Sequence, residues 1–98
     1  MKLKKVEFNV KRVNGKTYKV AGFAFTVPVT KRILVLYKDS VNNYRWLVSD
    51  YEKGVKIGDR YKSRKNAIYA YIHEYAEEVQ HNLDRLMELK TVNEEAVI

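Results

Sequence analysis

Up to Ile57 the apolar residues of this chain alternate with polar ones or stand in short unbroken runs; from Ile68 onward they recur every three or four positions. Alternation marks a strand with one buried face, and spacing of three and four marks a helix with an apolar stripe. A single change of period within 98 residues predicts strands first and a helix last around one core, an α+β domain.

Val6, Phe8 and Val10 give the first strand. Asn14-Gly15 then predicts a two-residue hairpin turn, which sets Val10 opposite Lys19, Phe8 opposite Ala21 and Val6 opposite Phe23. The second strand runs from Lys16 to about Val27 and stops at Pro28, which has no N–H for a ladder. RILVLY (32–37) and YRWLVS (44–49) are the third and fourth strands, and DYEKG (50–54) is a turn with Gly54 at positive φ. Val55–Ile57 forms a short fifth strand.

The helix is expected from about Arg64 to about Lys90, with Ser63 as N-cap and a stripe of Ile68, Ile72, Tyr75, Val79, Leu83 and Leu86 packed on one face of the sheet. Residues 1–90 form the domain, and 91–98 a flexible tail. A helix of ~27 residues is ~40 Å long, against ~20 Å for the strands. Its second half, with Val79, Leu83, Leu86 and Met87, is thus expected to overhang as an interface. VAGFAF and RILVLY are apolar on both faces, so either the sheet curls or a second copy covers it as a homodimer. Heptads through Ile68, Tyr75, Asn82 and Leu89 are a further way for the helix to pair.

Charge is divided along the chain. Residues 1–65 carry seventeen Lys or Arg against five Asp or Glu, and residues 66–98 carry two against seven. A basic front half suits a polyanion partner, or an internal attraction between basic sheet and acidic helix. With no cysteine, disulfides and thiolate metal sites are excluded. MKLKK lacks the apolar run of a signal peptide and no segment approaches ~18 apolar residues, so a cytoplasmic protein without a membrane span is expected.

Four of the six residues Arg60–Lys65 are cationic, at a predicted helix start where the macrodipole disfavours cations. An anion gathered by Arg60, Lys62, Arg64 and Lys65 would account for them. Arg45 and Lys56 on the last strands extend the set, and Tyr44 and Tyr51 add rings for stacking. Trp46, on an apolar strand, is assigned to the core. His73, Glu77 and His81 line one side of the helix with nothing to orient them as metal ligands. No nucleophile, paired-carboxylate or glycine-rich phosphate motif is present, and no cofactor is implied.

From Tyr44 to Tyr75, YRWLVSDYEKGVKI followed by KSRKNAIYAY resembles the three-strand-plus-helix domains of integrase arm-binding proteins, over about a third of the chain. That resemblance implies DNA contact through the sheet. The expected function is therefore a small non-enzymatic protein that binds DNA or RNA through phosphate contacts at the last strands and the helix start. The alternative is a protein-binding adaptor or inhibitor, of a phage or mobile-element counter-defence type, using the second sheet face or the overhanging helix.

Overall fold

The computed structural model describes residues 3–12, 14–28, 31–38, 45–70 and 83–93, with the backbone alone at 58–60, 83 and 84. Five strands, β1 (Lys4–Lys11), β2 (Thr17–Thr26), β3 (Ile33–Lys38), β4 (Trp46–Asp50) and β5 (Lys56–Tyr61), form one antiparallel sheet in chain order. Among the described residues two short helices follow, α1 (Arg64–Tyr69) and α2 (Leu83–Met87).

The first hairpin pairs Phe8 with Val20, Val10 with Tyr18 and Val6 with Gly22, one residue away from the expected register. The amide of Gly15 donates to Arg12 O at 2.9 Å, and that of Arg12 to Lys16 O at 2.7 Å, so the loop holds three residues. Gly15 takes φ +84°, the left-handed position that closes such a loop. Because side chains alternate, the shift moves Phe23 to the face opposite Phe8.

Two apolar clusters result, one on each face of the sheet. Phe25, Val27, Leu34, Leu36 and Val48 pack beneath Ala67 of α1. Phe8, Val10, Ala24, Val35, Tyr37 and Leu47 form the second cluster, with Tyr51 and Tyr18 at its margin. The sheet closes over this second cluster by curling. Phe8 meets Tyr37 edge-on at 5.5 Å between ring centres, although β1 and β3 would lie ~10 Å apart in a flat sheet. The amide of Lys11 donates to Gly54 O at 2.7 Å, joining β1 to the β4–β5 turn. Gly22 permits the bend: a Cβ there would collide with Leu36 O and stand 2.7 Å from Val35 Cγ1. Inside the curl, the hydroxyls of Tyr37 and Ser49 share a 2.7 Å hydrogen bond. The second cluster is thus enclosed by the chain itself.

The described residues do not form the long C-terminal helix expected over 64–90: among them α1 has six residues and α2 five. A ~40 Å rod would also exceed the longest extent of the molecule, 31 Å. Both ends of this segment are tied to the sheet instead. α1 buries Ala67 over β4 and β5, and beyond α2 the amides of Val92 and Asn93 donate to Glu52 O at 2.9 and 3.1 Å. The side chain of Asn93 completes the dock, accepting from Asn9 N at 2.8 Å and donating to Asn9 O at 2.9 Å and Tyr51 O at 2.6 Å. An apolar stripe promotes a helix only as far as a surface exists for it to cover; here tertiary contacts at both ends override the periodicity. Leu86 is half-buried, and Met87 is exposed with its Sδ accepting from Arg32 Nη1 at 3.4 Å. Val79 and the side chain of Leu83 lie outside the described residues, as do Asn82 and the row His73, Glu77 and His81.

The same end of the sheet holds a buried ion pair. Arg32 Nε and Nη2 grip both oxygens of Asp50 at 3.0 and 2.8 Å, with the Asp50 side chain fully buried. Glu52 lies 3.3 Å from Arg32 and 3.2 Å from Lys53, whose Nζ also reaches Thr91 Oγ1. Burial opposes the charge of Glu52, yet the hydrogen bonds from Lys53 and Arg32 outweigh it and hold its carboxyl below the usual range. Burial likewise opposes the charge of Arg32, and its two carboxylate partners outweigh it. No helix among the described residues is long and apolar enough to cross a membrane.

Candidate nucleic-acid interface

The basic turn before α1 is positioned by an irregularity in β5. Val48 pairs with Ile57 and Trp46 with Tyr61, so three residues of β5 lie opposite the single Leu47. This bulge swings the end of β5 and the start of α1 towards Trp46. Ser63 then caps the helix from extended backbone, its Oγ accepting from Asn66 N at 3.1 Å. One of the free N–H groups at the helix start is thereby satisfied within the chain.

Arg64 does not turn towards that helix start. Its guanidinium lies over Phe23 at 4.8 Å and 5.7 Å from the centre of Trp46. From the other side of the sheet order, Lys38 stands directly opposite Trp46 in the β3–β4 ladder, and its ammonium sits 4.4 Å above the indole. Phe23 and Trp46 themselves lie 6.3 Å apart, tilted at 54°. Both rings are half-buried, whereas Lys38 and Arg64 are exposed. Lys5, the cross-strand partner of Phe23, is exposed as well. The outcome is an aromatic pair with cations on β1, β3 and α1, on the sheet face that carries α1. Each ring–cation contact is worth ~0.5–1 kcal/mol when exposed to water.

Around this centre, Lys62 and Lys65 are exposed in the basic turn, and no acidic residue stands in the first turn of α1. Lys56 is exposed on β5 but pairs with Ser49, and alternation puts it on the sheet face opposite Trp46, while Arg45 is half-buried just before β4. Tyr51 does not join them: it lies stacked on Phe8 at 6.0 Å and 17°, at the margin of the inner cluster. Tyr44 and the side chain of Arg60 lie outside the described residues. The structure thus brings Arg64 together with Lys38, Phe23 and Trp46, none of which the sequence reading assigned to the site. The signal was present in the β3–β4 register, because any hairpin that places Lys38 opposite Trp46 joins a cation to a ring. Among the described residues no cluster of His, Asp or Glu could hold a metal ion.

No family model, curated protein or solved structure matches this chain.

Proposed function

We propose that this protein binds nucleic acid, without chemistry of its own, through the basic and aromatic face centred on Trp46. The observation that supports the reading most is the placement of Arg64 and Lys38 over the Phe23–Trp46 pair. Arg64, a cation that would disfavour a helix start, and Lys38 are gathered at half-buried rings, where a phosphate backbone finds charge and a base finds a flat apolar surface. Lys5, Lys62 and Lys65 supply further phosphate contacts. Phosphate contacts position the ligand and supply most of the affinity; they carry no sequence information.

The test is a salt-titrated anisotropy assay with labelled DNA and RNA oligomers, comparing wild type with Lys38→Gln, Arg64→Gln and a Lys62→Gln/Lys65→Gln pair. Each lost phosphate contact is expected to lower the log–log salt slope by ~0.7–0.9. Binding that is absent at physiological salt, or unchanged in every variant, refutes the reading.

A further inference from the structure

The geometry points to single-stranded nucleic acid, held by base stacking on Trp46 and Phe23, as the ligand of this face. The inference rests on the nucleic-acid reading above and adds which form is bound and how. Three observations carry it. The two rings are tilted and half-buried rather than sealed, so each keeps part of its surface open. The cations beside them come from three different elements, Lys5 on β1, Lys38 on β3 and Arg64 on α1. They therefore ring the aromatic pair instead of forming one straight row to track a duplex edge. Finally, the same sheet face carries α1, whose Ala67 packs in one cluster with Phe25, Leu36 and Val48, so the rings lie beside a helix rather than on a flat open sheet. A rigid duplex meets such a stepped surface over a small area, whereas a flexible strand can follow it and turn its unpaired bases inward. In a duplex the same bases are stacked on one another and their flat faces are closed to side chains.

Charge complementarity fixes the occupant as a polyanion, and the rings select one with exposed bases. Binding exchanges a cation–ring contact for a base–ring contact: the Lys38 ammonium or the Arg64 guanidinium swings from the ring to a neighbouring phosphate, and a base takes the vacated surface. Both side chains are exposed, so the exchange needs no change in the core.

Trp46 is the single tryptophan of the chain, so its fluorescence reports the site directly. Wild-type protein would be titrated with a short thymidine oligomer, a uridine oligomer, a duplex of mixed sequence, and an abasic oligomer matching the first in length and charge. Anisotropy of the labelled oligomers would be read in parallel. Stacking predicts quenching of Trp46 by both single strands, little quenching by the duplex, and ~5–100-fold weaker binding of the abasic oligomer. Trp46→Leu should lose the same factor for the single strands while its duplex binding stays put, and Trp46→Phe should recover most of it. Circular dichroism verifies that each variant is folded, and Phe23→Leu gives an independent variant should Trp46→Leu fail that check. Equal binding of the thymidine and abasic oligomers, with no quenching, overturns the stacking inference and leaves the nucleic-acid reading standing. Tighter binding of the duplex than of either single strand overturns it too. Absence of binding to all four probes brings down both.

Discussion

The dock of Asn93 onto β1 is the contact most open to a decisive test. Its side-chain amide imitates a strand residue: Oδ1 accepts from Asn9 N, and Nδ2 donates to Asn9 O and Tyr51 O, at 2.8, 2.9 and 2.6 Å. Asn93 is only 8% exposed, so water does not stand in for it in the folded state. Asn93→Ala removes three hydrogen bonds worth a net ~1 kcal/mol each, and partial hydration of the freed groups brings the expected loss to ~2–3 kcal/mol. A domain of this size has ~5–15 kcal/mol in all, so the variant should stay folded with its urea midpoint lowered by ~1–2 M at unchanged slope. Hydrogen exchange gives a sharper readout. The Asn9 amide is protected by Asn93 Oδ1, whereas the Lys11 amide two residues on is protected by Gly54 O. Protection should fall at Asn9 well beyond the global loss and follow only the global loss at Lys11. Asn93→Asp adds a pH signature. A carboxylate would face the carbonyls of Asn9 and Tyr51, which raises its folded-state pKa above the unfolded value near ~3.9. The gap between this variant and wild type should therefore be full above the raised pKa and close as pH falls below the unfolded one. A loss under ~0.5 kcal/mol for Asn93→Ala, the size of an ordinary surface substitution, with Asn9 protection intact, would refute the dock.

Gly54 has φ +66°, and a Cβ there would collide with Val92 Cγ2 and stand 2.6 Å from Asn9 O, so Gly54→Ala should cost ~2 kcal/mol or more by urea melting and also loosen the Asn93 dock. Asp50→Asn breaks the bidentate grip on Arg32 and should cost ~3 kcal/mol, while Arg32→Leu together with Asp50→Leu should cost less than the single change, because it leaves no buried charge short of acceptors. The folded-state pKa of Glu52 is lowered, so its contribution to stability is present above the unfolded carboxylate value of ~4.3 and is lost as pH falls through the folded one. Melting temperatures of wild type and Glu52→Gln should therefore differ at neutral pH and converge in acid.

The meander was legible in the sequence because its signals are local. Alternation at Val6–Val10, Pro28 as a stop, and Gly54 at a turn each act within a few residues. The hairpin register was not, since Asn14-Gly15 serves either a two-residue turn or a three-residue loop with Gly15 in the left-handed position. Apolar residues on both sides of VAGFAF then gave no preference between the two registers, and the wrong one set Phe23 on the face of Phe8. The helix was over-extended for a different reason. Periodicity measures the apolar stripe a segment can offer, while its folded length depends on where the sheet receives it. The contact that receives it, Asn93 on Asn9, joins residues 84 positions apart and leaves no local trace. The curl belongs to the same class, since it depends on Gly22 lying against Leu36. At the candidate site the density of charge is local and legible, whereas which rings the cations meet is set by the β3–β4 register and the β5 bulge.

The concentration of cations at the start of α1 takes a different meaning in this light. A cation within the first turn costs ~0.3–1 kcal/mol against the helix dipole. A guanidinium above a partly exposed ring returns ~0.5–1 kcal/mol or more. Arg64 over Phe23 and Trp46 can therefore offset its own local cost without any anion at the helix start, where Ser63 already satisfies the Asn66 amide. On the proposed reading the sheet face, not the helix terminus, is where a polyanion meets this charge. The two accounts part on one substitution. If Arg64 served the helix start, Phe23→Leu would leave polyanion affinity unchanged; if it serves the rings, removing Phe23 both frees Arg64 and weakens the binding of any strand that stacks there.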